Sequence, residues 1–161
     1  MNRKHPILTD AMRLQQQRQR QQQDGDSLDI LQNGHENPAK AIRAMLDDCA
    51  RRAQQHAGTA TADALAQLVY AVERKLASRE IPKALALRHP DAADGQSYLQ
   101  ALFDAVSFLY MRVTTDASLD SHWILKQQRY LVTMIDQAIR QVHAQHSISK
   151  HHFKLVRLRP Y

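Results

Sequence analysis

Four stretches of this chain repeat apolar residues at alternating spacings of three and four, a period that admits amphipathic helix and little else. The first runs Ile42, Met45, Leu46, Cys49, Ala53 and the second Leu65, Leu68, Val69, Val72, Leu76. The third, Leu99, Leu102, Phe103, Val106, Leu109, Tyr110 and Val113, is the most apolar and is expected at the centre. The fourth carries Leu119, Trp123, Leu131, Met134, Ile135, Ala138 and Val142 inward. Composition agrees: only 4 Gly and 5 Pro interrupt 161 residues rich in Ala, Gln, Leu and Arg, which lose little rotamer freedom in a helix.

Boundary signals bracket each stretch. Asn37 is a good N-cap and Pro38 suits the first helical position, where a missing N–H costs nothing. Gly58 stands where a C-terminal cap belongs. A second helix is predicted from Thr61, with Asp63 in its first turn, and Ile81-Pro82 stops or redirects it. Residues 82–96 read as a connector with one turn of helix around Lys83-Ala84-Leu85, then turns at His89-Pro90 and Asp94-Gly95. Ser97 followed by Gln100 matches a capping box. Thr114-Thr115-Asp116 ends the third helix, and the fourth is predicted from near Ser118 towards His146.

The expected fold is therefore all-α: a single-domain helical bundle of about four long helices in an up-and-down arrangement, with basic N- and C-terminal arms. Three segments are expected. Residues 1–36 form a Gln/Arg-rich arm, marked by the run Gln15–Gln23; 37–148 form the bundle; 149–161 form a basic extended tail. The arm's only apolar stripe is Ala11, Met12 and Leu14, too little buried surface to offset an ordering entropy of roughly 1–2 kcal/mol per residue.

Charge is segregated along the chain. Residues 1–23 hold Arg3, Lys4, Arg13, Arg18 and Arg20 against Asp10 alone, and residues 140–161 hold Arg140, Lys150, Lys154, Arg157 and Arg159 against no acid. The ends are thus +4 and +5 on a middle of −3, for a net +6. Positive ends on a mildly acidic body suit an anionic partner. The expected nucleic-acid contacts are Arg13, Arg18, Arg20, Lys150, Lys154, Arg157 and Arg159, with His152, Phe153 and Tyr161 interleaved for stacking on bases. Arg51, Arg52, Arg74, Lys75 and Arg79 have Asp47, Asp48, Glu73 and Glu80 close by and read as ordinary solvated surface, Asp48 pairing with Arg52. Without a helix-turn-helix signal, backbone binding is favoured over duplex sequence reading.

Signatures of chemistry are sparse. His143, His146, His151 and His152 cluster, but without a Cys or acid nearby they match zinc spacing weakly, and cationic side chains suit a helix C-terminus. No metal or cofactor is expected. Asp116, Asp120 and His122 are explained by capping at the start of the fourth helix. Cys49, on an apolar stripe, reads as a small buried hydrophobe, and as the only cysteine it points to a reducing, cytoplasmic compartment. No glycine-rich phosphate loop or nucleophile elbow occurs, so an enzyme is not expected. No apolar run approaches the roughly 20 residues of a membrane span, and no hydrophobic stretch follows the basic N-terminus as a secretory signal requires. The leading expectation is an accessory subunit binding nucleic acid within an assembly. The alternative is a protein–protein adaptor of a multisubunit machine such as a secretion or conjugation system, docking through Trp123, Ile124 and Tyr130, which with Leu125 exceed one core stripe.

Overall fold

The structure, a computed structural model, describes the backbone of residues 37–158 and side chains as far as His146. It is all-α: α1 (Pro38–Gln55), α2 (Ala60–Leu76), α3 (Ile81–Ala86), α4 (Tyr98–Thr115) and α5 (Ser121–Leu158) pack together, with a 3₁₀ turn at Ala93–Gly95. No strand occurs among the described residues, only an isolated antiparallel bridge between Arg88 and Ser97.

The starts follow the capping residues. The Lys40 N–H donates to the Asn37 side chain at 3.2 Å, and Pro38 opens α1. Thr59 caps α2 by accepting from the Ala62 N–H at 3.1 Å, so the helix begins at Ala60, one residue before the predicted Thr61. Between them Gly58 takes φ +98°, a conformation side chains with a Cβ rarely adopt. Ser97 accepts from the Gln100 N–H at 3.2 Å. The Gln100 amide reaches forward to Asp104 instead of back, so half of the capping box forms. Asp116 takes the Ser118 N–H at 2.9 Å and Asp120 the His122 N–H at 3.1 Å, as the capping reading expects.

Two elements differ from expectation. α2 ends at Leu76, short of Ile81-Pro82, and that pair instead opens α3, which lengthens the turn of helix expected around Lys83-Ala84-Leu85 to Ile81–Ala86. The last helix starts at Ser121 and continues to Leu158, through residues 149–158 that were expected to be extended. The reason is the absence of any breaker: from Gln96 to Arg159 there is neither Gly nor Pro, and Pro160 is the first residue unable to continue a helix. Residues 1–36, the expected N-terminal arm, lie outside the described residues.

Hydrogen bonds reveal the direction of each helix. Ser107 meets Met45 and Tyr110 meets Asp48, a constant offset, so α1 and α4 run parallel. Thr61 donates to the Leu119 carbonyl and Lys75 pairs with Asp136, so α2 and α5 also run parallel. The short turns make α1–α2 and α4–α5 antiparallel hairpins. Two such hairpins lie face to face, with α2 against α5 as the most extensive interface and α1 against α4. The most apolar stretch, α4, is not the hub that its composition implied. α3 carries the chain across the diagonal from α2 to α4, packing on both α4 and α5.

The core is built from the predicted stripes. Met45, Leu46, Cys49, Leu68, Val72, Leu102, Val106, Leu109, Leu131, Ile135 and Ala138 are completely shielded, each large one contributing about 1.5–3 kcal/mol. One polar tie crosses it. The Tyr110 hydroxyl donates to Asp48 at 2.6 Å, and Arg51 and Arg52 donate to the same carboxylate at 2.9 and 3.0 Å. Burial alone would raise the Asp48 pKa, but the Tyr110 and Arg52 hydrogen bonds and the charges of Arg52 and Arg51 outweigh it and hold the carboxyl below its ordinary 3.8. A depressed carboxylate pKa adds stability that is present above the unfolded value and lost as pH falls through the folded one. Tyr110→Phe is therefore expected to cost about 1–3 kcal/mol in urea unfolding at pH 7 and to move the acid-unfolding midpoint to higher pH. An unchanged acid midpoint removes the tie from the account.

Candidate nucleic-acid interface

The expected phosphate contacts divide between described and undescribed chain. Arg13, Arg18, Arg20 and Arg159 lie outside the described residues, while Lys150, Lys154 and Arg157 fall on the helical backbone of α5. At spacings of four and three, positions 150, 154 and 157 follow one line along that helix. Continued backwards through 147, 143, 140, 136, 133 and 129, the same spacing drifts by about 20° per seven residues, so these positions wind slowly around the helix. Arg129 and Arg140 are exposed, and neither has a carboxylate within 4.0 Å among the described residues. Asp136, the acid in this register, is matched by Lys75 Nζ at 2.9 Å.

Beside Arg129 lies a groove of about 630 Å³ between α2 and α5. Tyr70, Arg74 and Lys75 line its α2 wall, and Gln128, Arg129 and Val132 its α5 wall. Parallel packing sets these residues in step. Tyr70 is 67 % exposed, because it falls between Val69 and Val72, off the inward stripe. Arg74 is exposed and has no acidic partner among the described residues. The Gln128 carbonyl oxygen is buried without a hydrogen bond. The sequence reading set Arg74 aside as solvated surface and did not single out Tyr70. The available signal was an aromatic displaced from its helix's apolar register.

A second groove, about 590 Å³, runs between α4 and α5 on the other side. Phe108 and Tyr130 stand over it, 54 % and 56 % exposed, with Asp91, Asp104 and His89 around them. Met111, 52 % exposed, lies one turn on from Phe108. Of the three residues expected at a protein interface, Tyr130 is exposed and Trp123 is half-buried. Trp123 sits 6.0 Å from the Phe108 ring with the Arg112 guanidinium 4.3 Å over it. Ile124 is a correction: it is fully buried in the core and unavailable to a partner. α5 faces α2 on one side and α4 on another, so it needs a wider apolar arc than one stripe.

Other candidates stay where their packing puts them. Burial pushes the Cys49 thiol up to about 12, the Asp48 charge adding to it, so it stays a protonated, shielded group. Burial raises the Glu73 carboxyl, as do the charge and hydrogen bond of Asp47 across the α1–α2 contact. His143 Nε2 lies 3.6 Å from Glu80, while His151 and His152 belong to the part of α5 described only as backbone. Among the described residues no group of three His, Cys, Asp or Glu side chains is placed to hold a metal. No helix among them is long and apolar enough to cross a membrane.

Compared with known proteins, the chain matches no family model, no curated protein and no solved structure.

Because Ile124 is core, Ile124→Ala is expected to destabilise the fold by about 2–5 kcal/mol in chemical denaturation. Tyr130→Ala, on the surface, is expected to change stability by less than about 0.5 kcal/mol. Equal effects at the two sites contradict the assigned burial.

Proposed function

We propose that this chain is a small, non-catalytic, all-α accessory subunit that binds the backbone of RNA or single-stranded DNA within a larger cytoplasmic assembly. The observation that carries it is the line of positive charge along α5: Arg129 and Arg140 have no carboxylate within 4.0 Å among the described residues, Asp136 is offset by Lys75, and Lys150, Lys154 and Arg157 follow on the same helical backbone. From 129 to 157 the line extends about 42 Å at 1.5 Å per residue, long enough to follow several successive phosphates. A polyanion bound this way releases counterions, and its affinity falls with salt by about 0.7 log unit per log unit for each single-strand phosphate neutralised. Fluorescence anisotropy with an unstructured oligonucleotide across a salt series tests it. Removing residues 150–161 deletes Lys150, Lys154, Arg157 and Arg159 and is expected to lower the slope by up to about 3. Absence of binding at low salt, or a slope unchanged by the truncation, overturns the proposal.

The exposed aromatic edge of the α4–α5 groove favours a second reading, a protein–protein adaptor. Phe108, Met111 and Tyr130 together present apolar surface bordered by Asp91 and Asp104, the arrangement of an interface core with a polar rim. On this reading the double substitution Phe108→Ala, Tyr130→Ala abolishes co-purification with a protein partner while leaving oligonucleotide binding intact. Retained co-purification counts against it.

A further inference from the structure

We infer that the groove between α2 and α5 is a base-stacking subsite for single-stranded nucleic acid, with Tyr70 as the platform and Arg74 and Arg129 as flanking phosphate contacts. The inference rests on the nucleic-acid reading above and deepens it, by assigning a strand type and a site on the folded body.

Charge complementarity selects the occupant. Three cations line this groove, and only Lys75 is neutralised by a carboxylate, that of Asp136. The two left over stand on opposite walls, Arg74 on α2 and Arg129 on α5, with Tyr70 beside them. A ring that is 67 % exposed in a recess also lined by two guanidinium groups offers a π-face and two anion contacts together. That combination is how sequence-tolerant single-strand binders hold their ligand: aromatic faces take the bases while positive groups follow the backbone. Gln128 adds a polar group in the same recess, its carbonyl oxygen lacking a donor. Rotation of its terminal amide presents that oxygen to a base's exocyclic amine.

Duplex fits poorly. Its bases are stacked on one another and present edges rather than faces, so Tyr70 has nothing to pair with. A lipid surface fits no better, because the groove's exposed apolar contribution is one tyrosine rather than a broad helix face. The acidic border of the α4–α5 groove, with Asp91 and Asp104, excludes a polyanion there. The two grooves therefore have opposite electrostatic character.

Substitutions at three positions in the full chain separate the contributions, with an oligothymidylate of about twenty nucleotides as probe, longer than a typical single-strand site. All three positions are exposed, and circular dichroism checks that each variant stays folded. Tyr70→Ala is expected to weaken binding roughly ten-fold or more without changing the salt slope, since stacking releases no counterions. Tyr70→Phe is expected to bind as the parent does, because the ring face is kept. Arg74→Gln and Arg129→Gln are each expected to lower the slope by about 0.7. A duplex of the same length is expected to bind Tyr70→Ala and the parent equally. If the parent binds oligothymidylate but Tyr70→Ala binds equally well, or Tyr70→Phe is as weak as Tyr70→Ala, the stacking subsite is overturned and the wider reading stands. If the parent fails to bind at low salt, both fall.

Discussion

Everything in this fold is arranged around the burial of one face of α5. Leu131, Ile135 and Ala138 on that helix lose all exposure, and α2, α3 and α4 each pack against it. Burying three contacts along one helix demands more apolar arc than a two-helix seam, which is why Ile124 joins the stripe. Small residues at the α3 crossing do the rest. Ala84 and Ala138 are both fully shielded, and short side chains hold less space between packed helices than long ones do. Given that seat, α2 must run parallel to α5, because the chain leaves α2 at the end where α3 and α4 begin. The grooves on either side of α5 are consequences of this arrangement.

What was legible in the sequence was what local rules control. The stripes that form the core could be read from spacing because a helix's inward face has no alternative use once a partner is present. Asn37, Ser97 and Asp116 announced helix boundaries because their side chains satisfy amides that nothing else reaches. The start of α2 at Ala60 lies one residue before the predicted Thr61, within the usual uncertainty of helix ends. Ile124 was misplaced for a stronger reason. A single-stripe template assumes one partner per helix, whereas α5 has several, and which residues widen its arc depends on packing no local window contains. The helical state of residues 149–158 is signalled only by the lack of any Gly or Pro to stop the helix, since no cap marks the segment.

The candidate site was legible in its charge and illegible in its location. Composition assigned the positive surplus to the two chain ends, but the sign of a residue does not reveal whether a carboxylate will stand beside it. In the folded body Arg51 and Arg52 are matched by Asp48, Lys75 by Asp136 and Arg112 by Asp116. Two of these three acids lie four residues or fewer from their partners, within reach of a sequence rule. The Lys75–Asp136 pair is not. It depends on α2 and α5 lying parallel, and it is the pair that decides which cations of the groove remain available. Arg74, one residue from Lys75, looked equally neutralised by Glu73 in sequence. On a helix, however, adjacent residues diverge by about 100°, and Glu73 lies instead beside Asp47 of α1, burial and that neighbouring carboxylate raising its pKa.

An unbroken helix also changes what the C-terminal charges are able to do. On a flexible tail, four cations reach a polyanion at the expense of ordering every residue between them, roughly 1–2 kcal/mol each. On α5 the backbone from Arg129 to Arg157 is continuous helix, packed into the core towards its N-terminal end. Spacing between successive charges is then fixed by helix geometry rather than chosen on binding, and the ordering cost falls on the fold instead of the complex. The same rigidity makes the arrangement selective. A ligand whose anionic groups repeat along a line can engage Arg129, Arg140 and the positions beyond, whereas a compact anion meets one or two of them. That distinction, between a polymer and a point charge, is the physical reason to look for a nucleic-acid strand on this face rather than for a small acidic ligand.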